Sequence, residues 1–430
     1  MIQEFKVRNF CSFRDEVCLN FEASKDTFAR ETQTIEINDT TRLLRYGIIY
    51  GYNASGKSNI LRAFDFLKYF WSFVPRDYEM PTGVVPFKLN DDSPNLPSYF
   101  EITFYVEGKK YVYQLELDST HVLLEKLSYY QSTQPISLFE RSFKNGESVI
   151  HFNTTHVLSD KVSGSIKDAI AAKCLKNMSF FAARNQVNAS LPLIDAAKNW
   201  LRHGLMPTIF PSTSLTNFAK RITRGDKKSV DYILSFLKEA DFNVSNIATD
   251  VINREISDET LKILLENDEI PAGEKERLVR ERSIRQLRTI FQHTVQNASG
   301  KQSFSFLGKE ESLGTLRVFG LEAALYDVMT DKGFLPIDEI ETSLHPKLLE
   351  KVLYEYLKVK VNSQILIATH EDGLLDLVDD LIRKDAVWFT DKGLDGATEL
   401  YKLTDFRGLN RLSSVREAYR NRRFGATMKS

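Results

Sequence analysis

The chain has 430 residues, with 57 Lys and Arg against 58 Asp and Glu and a net charge of −1. That length predicts two or three units, and the near-zero charge excludes a global field pulling the chain onto nucleic acid, leaving only local basic patches. Cys11, Cys18 and Cys174 lack metal-ligand or disulfide spacing, as in a cytosolic protein, and neither a signal peptide nor a membrane-spanning run of roughly 20 apolar residues is present.

In chain order, Ile2, Phe5 and Val7, then Val17, Leu19 and Phe21, predict an antiparallel strand pair. Gly47-Ile48-Ile49-Tyr50 reads as a short buried strand. It runs into Gly51-Tyr52-Asn53-Ala54-Ser55-Gly56-Lys57-Ser58, which fits G-x-x-x-x-G-K-S/T. Asn59 to Leu67 has helical apolar spacing, so a helix is expected from Ser58 to about Phe73. A strand that breaks into a glycine loop and reopens as a helix turns its backbone N–H groups, here from Gly51 to Asn59, toward phosphate oxygens. Lys57 is expected at the β- and γ-phosphates of ATP and Ser58 at Mg²⁺.

Pro75, Pro81 and Pro86 punctuate an irregular stretch. From Ser98 to Tyr130 the alternation predicts a three-stranded meander, which Phe139-Glu140-Arg141 and Val149 to Phe152 prolong. Its aromatic residues suit a core better than a base-stacking platform. Residues 165–204 read as mainly helical, with Ser179-Phe180-Phe181-Ala182-Ala183 as a buried strand leading to Gln186. Residues 214–290 are the least informative third. Val230 to Leu237 has helical spacing, and Ser257-Asp258-Glu259-Thr260 opens another helix. Lys275, Arg277, Arg280, Arg282, Arg285 and Arg288 form either a solvated helix face or a surface for nucleic acid or a partner. Thr289 to Phe306 reads as a hairpin turning at Asn297-Ala298-Ser299-Gly300-Lys301.

Glu311-Ser312-Leu313-Gly314-Thr315-Leu316-Arg317 opens an apolar helix. The Ser312 hydroxyl and Gly314 N–H at a helix start make a second anion cradle, or an ordinary N-cap. Gly333 to Glu339 is an apolar strand ending in two acids. Asp338 is expected to hold Mg²⁺ through water, and Glu339 to orient and deprotonate the attacking water. Adjacent acids at the end of an apolar strand are costly unless a cation or a reacting water uses them. Glu341-Thr342-Ser343-Leu344-His345-Pro346 follows. Gln364 to Thr369 is a further buried strand, ending at His370, which can hydrogen-bond a γ-phosphate and sense its loss. A hairpin over residues 385–406 and a basic tail (Arg411, Arg416, Arg420, Arg422, Arg423, Lys429) complete the chain.

With E-S-x-G-T-x-R, I-D-E-I-E-T-S-L-H-P and A-T-H-E in that order, and I-x-x-F-x-V-x-N-F-x-S-F at the start, nearly the whole chain resembles AAA/ABC-class ATPases of the RloA and AbiLi group. These are relatives of OLD, RecF and SMC-head ATPases. The resemblance implies an α/β, ABC-ATPase-head-like P-loop fold with an N-terminal antiparallel β layer and an inserted helical lobe. The expected division is 1–164 for ATPase lobe I, 165–288 for the insertion and 289–430 for lobe II. It implies that Ser312 and Gly314 close on the γ-phosphate held by another copy, so that ATP drives homodimers or higher oligomers. It also makes Gln186 the glutamine that contacts Mg²⁺ and the attacking water; a polar helix cap is the alternative. Relatives are prokaryotic and often encoded in phage-defence or abortive-infection loci, working with a separately encoded effector, frequently a nuclease. A RecF-like ATPase binding duplex DNA is the competing expectation. Two departures narrow the likeness. Residues 371–430 are too few for the C-terminal Toprim nuclease of OLD proteins, and Leu313 replaces a small signature residue, which implies looser γ-phosphate contact and slower turnover.

Overall fold

The computed structural model describes residues 1–144, 146–153, 163–267 and 270–427. Its strands in the first half are β1 (Ile2–Arg8), β2 (Val17–Asn20), β3 (Thr34–Glu36), β4 (Arg42–Leu44), β5 (Tyr46–Tyr50), β6 (Ser98–Val106), β7 (Lys109–Leu117), β8 (Val122–Tyr130), β9 (Pro135–Lys144) and β10 (Glu147–Phe152). The second half adds β11 (Val244–Glu255), β12 (Ser283–Asn297), β13 (Gly300–Leu307), β14 (Phe334–Asp338), β15 (Gln364–Thr369), β16 (Val387–Lys392) and β17 (Thr398–Lys402). The chain forms two units: Met1–Pro211 with Val328–Thr342 and Val352–Ser430, and Ser212–Asp327 with Ser343–Lys351.

The first unit holds two large sheets. One is antiparallel, in the order β10-β9-β8-β7-β6-β1-β2. The other runs β14-β15-β5-β16-β17, parallel from β14 to β16, with β17 antiparallel at the edge. The parallel strands are buried throughout β14, β15 and β5, as strands covered on both faces must be. Helix Lys57–Phe70 lies between the sheets. Its Phe64 stacks on Phe5 of β1 at 4.1 Å and meets Phe334 of β14 at 4.9 Å. The Gln364 side chain ties the sheets together: its Oε1 accepts from Ile2 N at 2.6 Å, and its Nε2 donates to the carbonyls of Ile2 and Leu44.

Leu205 to Phe210 runs as a parallel ribbon outside β14. Met206 N donates to Phe334 O, Ile209 N to Pro336 O, and Asp338 N to Ile209 O at 2.8 Å. Residues 165–211 therefore belong with the first unit, and the chain leaves it at Pro211, not at the expected 164/165 boundary.

The second unit holds more than the helices expected of the inserted lobe. Helices Thr216–Thr223, Lys227–Glu239, Asp258–Glu266 and Ala272–Glu281 are present, but so is the antiparallel sheet β11-β12-β13. Strand β11 and the first half of β12 have no signature in the sequence because most of their side chains are solvated: on β11 only Val244 and Ile247 are buried, so no apolar alternation marks it. The basic run is likewise split. The helix carrying Lys275, Arg277 and Arg280 ends at Arg282, whose φ of 46° is left-handed, and Arg285 and Arg288 lie on β12. Asn297 pairs with Gly300, closing the expected hairpin.

Ser179 to Ala183 is not a strand. Phe180–Arg184 is a short helix, with Ser179 Oγ accepting from Ala182 N at 3.1 Å. All five of its residues are buried, so the sequence carries no period to separate helix from strand.

Candidate functional site

Three parallel strands end at one edge of the five-stranded sheet. Thr369 is in register with Tyr50, and Asp338 with Ala368. This brings the loop after β5, the acids after β14 and the histidine after β15 together at the carboxyl ends, where open α/β sheets bind ligands.

The loop folds as its glycines require. Gly56 has φ 110° and Ala54 φ 65°. A Cβ on Gly51 would stand 2.4 Å from both Ser55 Oγ and Thr390 Oγ1, and one on Gly56 2.4 Å from Thr398 Oγ1. Neither position admits a side chain. Asn53 and Ala54 are exposed at the crest. Lys57 Nζ donates to Gly51 O at 2.6 Å and Tyr52 O at 3.2 Å. Burial pulls its pKa down, opposed by the nearby carboxylates of Asp338, Glu341 and Glu339.

Three side chains from distant segments hold this loop, and the sequence assigns none of them a place at it. Thr390 Oγ1 bonds Ser55 Oγ at 2.7 Å. Thr398 Oγ1 donates to Ser55 O and is hydrogen-bonded with Ser12 Oγ, each at 2.9 Å. Asn59 Nδ2 donates to Ser12 Oγ at 2.7 Å. The side chains of Ser55 and Asn59, expected at nucleotide, are thus engaged in supporting the loop. Only tertiary pairing discloses this network: Ser12 lies in the N-terminal N-F-x-S-F pattern, which gives it no role at the loop, and no local motif marks Thr390 or Thr398.

Asp338 is buried, and burial raises its pKa, partly offset by a bond from the Ser58 hydroxyl and by Lys57 and Arg62. Its Oδ1 has no hydrogen-bond partner. A buried carboxylate that meets Ser58 and keeps one oxygen without a donor fits a hard cation. Among the described residues, no three carboxylate, imidazole or thiolate groups gather as a protein-only cage. The donor set suits Mg²⁺, which takes one or two protein oxygens and completes its shell with water and phosphate.

Glu339 follows with φ 45° and is half-buried. Glu341 carries an unexpected role. Its Oε2 accepts from Thr369 Oγ1 at 2.7 Å, and its Oε1 accepts from His370 N at 2.9 Å and faces His370 Nδ1 at 2.7 Å. The carboxylate thereby assigns the proton to Nδ1 and leaves Nε2 outward on a side chain that is 55% exposed.

Gln186 does not join this edge. It is exposed in the turn after helix Phe180–Arg184. Its neighbour Asn185 lines a pocket with Trp71 and Ser72, at the C-terminal end of helix Lys57–Phe70. A helix of that length separates its ends by about 20 Å. The segment that does end beside Asp338 is the ribbon to Phe210, which carries no glutamine.

In the second unit, Ser312 is exposed and caps helix Leu313–Asp331, its Oγ accepting from Thr315 N at 3.1 Å. Gly314 forms the first turn.

A family profile described as "AAA domain, putative AbiEii toxin, Type IV TA system" matches residues 48–376. No curated protein sequence matches the chain. Among solved structures, the SMC head domain from Thermotoga maritima is similar at 13% identity and a TM-score of 0.41, covering 93% of this chain and 98% of that one. An Smc head domain with an extended coiled coil, bound to the C-terminal domain of ScpA derived from Pyrococcus furiosus, is similar at 12% identity and a TM-score of 0.37, covering 94% and 97%. Among the described residues, no helix is long and apolar enough to cross a membrane. The profile spans the glycine loop, both acids and the histidine, and the chain belongs to this AAA-domain family, within the AAA/ABC class of P-loop ATPases.

Proposed function

We propose that the protein binds ATP with Mg²⁺ and hydrolyses it as a switch, two or more copies closing on the nucleotide to gate a separately encoded effector, such as a nuclease, in a prokaryotic anti-phage defence complex. The observation that carries the ATPase reading is the meeting of Lys57, Asp338, Glu339 and His370 at the carboxyl edge of β5, β14 and β15.

Ser58 and Asp338 would hold Mg²⁺, which supplies charge neutralisation on the phosphates. The loop N–H groups and the Lys57 ammonium bind the β- and γ-phosphates. Lys57 exchanges its bonds to Gly51 O and Tyr52 O for phosphate oxygens, so the ammonium stays satisfied in both states. Glu339 orients the attacking water and takes its proton as the bond from the γ-phosphorus to the bridging oxygen breaks. His370, held at Nδ1 by Glu341, presents Nε2 to the γ-phosphate. When the phosphate leaves, that contact is lost, and the loop after β15 reports the change.

A RecF-like DNA role finds less support. Arg277 is bonded to Glu274 and Glu281, Arg282 to Asp258, and Arg416 and Arg420 to Asp372, so much of the basic run and tail is neutralised within the chain.

The test is affinity purification of Glu339→Gln from its native operon with ATP and Mg²⁺. A stoichiometric protein that co-elutes only with ATP is the expected result. No co-eluting protein in any nucleotide state would overturn effector gating. Co-eluting nucleic acid alone would favour DNA maintenance.

A further inference from the structure

Arg317 stands apart from every other arginine discussed above. It is 9% exposed, on the second turn of helix Leu313–Asp331. Its Nε and Nη2 have no hydrogen-bond partner, and among the described residues no carboxylate pairs with it. A buried guanidinium without a counter-charge is costly, so folding alone does not account for it. Burial lowers its pKa, with no neighbouring acid to oppose the effect.

Its position on the helix gives it a direction. Side chains on a helix lean toward the N-terminus and cover the turn before their own Cα. Arg317 is i+3 from Gly314 and i+4 from Leu313, so its Cα–Cβ bond leans toward the first turn, on the same helix face as those two residues. There Ser312 Oγ and the unpaired N–H groups of the helix start already favour an anion.

Gly314 supplies a separate indication. Its φ is not in the left-handed region, and a Cβ would meet only Ser343 O at 3.5 Å and Ser312 Oγ at 3.8 Å, both ordinary contacts. The fold does not require glycine here, in contrast to Gly51 and Gly56. What a missing side chain does provide is an open backbone that a ligand can approach.

We propose that Arg317 is a phosphate-binding residue, which with Ser312 Oγ and the Gly314 N–H grips the terminal phosphate of a nucleotide held by the Lys57 loop of a second copy of this chain. This rests on the reading that ATP brings copies together. It adds the group that supplies most of the positive charge at the second half of the site. A planar guanidinium can bond two phosphate oxygens at once and loses its desolvation penalty when it does.

The experiment uses the full chain and Arg317→Met, which removes the charge and keeps much of the volume. Four readings are expected. Without nucleotide, the melting temperature is equal to or above wild type, because an unpaired buried charge is gone. A fluorescent ATP analogue at nanomolar protein binds within about twofold of wild type. Hydrolysis falls about 10²-fold or more, as for loss of a preorganised donor or arginine finger. Mixing Arg317→Met with Lys57→Ala, each inactive alone, restores hydrolysis, because the mixed pair contains one complete site.

Wild-type hydrolysis by Arg317→Met would overturn the proposal. So would a lowered melting temperature with no recovery on mixing, which would make Arg317 a structural residue. The pairing reading is checked separately with otherwise wild-type chains. If Glu339→Gln does not associate with ATP in sedimentation and wild-type specific activity is independent of protein concentration, pairing itself fails and the proposal falls with it.

Discussion

Glu341 shows how a residue acquires a role that its place in a motif does not disclose. In the sequence it is one more acid after Asp338 and Glu339. In the fold it crosses to the neighbouring strand end and takes three donors, from Thr369 Oγ1, His370 N and His370 Nδ1. A carboxylate that fixes a functional imidazole in one tautomer is worth roughly 10- to 100-fold where comparable second partners have been removed. Glu341→Ala is therefore expected to lower kcat by about that factor, with little change in nucleotide affinity. Glu341→Gln keeps a carbonyl oxygen for two of the three donors and should recover part of the loss. Equal losses in affinity and kcat, or no rescue by glutamine, would mean that the side chain supports the loop generally and not the histidine.

At the scale of elements, the loop after β5 depends on segments remote in sequence. The turn after β1 contributes Ser12, and the β16–β17 hairpin contributes Thr390 and Thr398. That hairpin is in turn entered through a buried ion pair. Arg383 binds both oxygens of Asp385 at 2.9 and 2.8 Å, and Ser24 N and Oγ donate to the same carboxylate. Burial pushes the Asp385 carboxyl up, but the bonds from Arg383 and Ser24 outweigh it and hold the pKa below the usual range. The folded value is depressed, so the stabilisation is present above the unfolded carboxylate pKa of about 3.9 and is lost as pH falls through the folded value. Asp385→Ala leaves the Arg383 charge buried and should cost about 3–5 kcal/mol at neutral pH. The acid limb of its melting-temperature profile should be flatter than that of wild type. A parallel downward shift at every pH would show that the loss is one of packing.

For the whole molecule, the first unit was largely legible because its elements are strongly periodic or punctuated. The β1–β2 pair, the meander, the glycine loop and the strands ending at Asp338 and His370 all lie where alternation, apolar runs and glycine place them. The second unit was poorly legible. Only its hairpin over residues 289–306 reads from the sequence; the rest of the sheet is solvated over much of both faces, so β11 and the start of β12 offer little apolar period, and the charge-rich segment with capping residues before the hairpin reads as mainly helical. Gln186 was misassigned for a related reason: a fully buried run of five residues has no period, and only the backbone reveals a helix. The ribbon Leu205–Phe210, which does end beside Asp338, contains Pro207 and pairs by isolated bridges, so nothing local marks it as a sheet edge. The basic tail shows a third limit. Its composition suggests an open cationic surface, yet Arg416 and Arg420 bind Asp372, two residues beyond His370.

The most direct measurement is ATP hydrolysis as a function of protein concentration, with wild type and Glu339→Gln side by side and sedimentation velocity on the same samples. The account predicts specific activity that rises with concentration. It also predicts that Glu339→Gln retains ATP binding, loses hydrolysis and sediments as a larger species only with ATP and Mg²⁺. Hydrolysis undiminished in Glu339→Gln would contradict the assignment of the site. Specific activity flat with concentration, and no ATP-dependent change in sedimentation, would contradict a switch that works by joining copies.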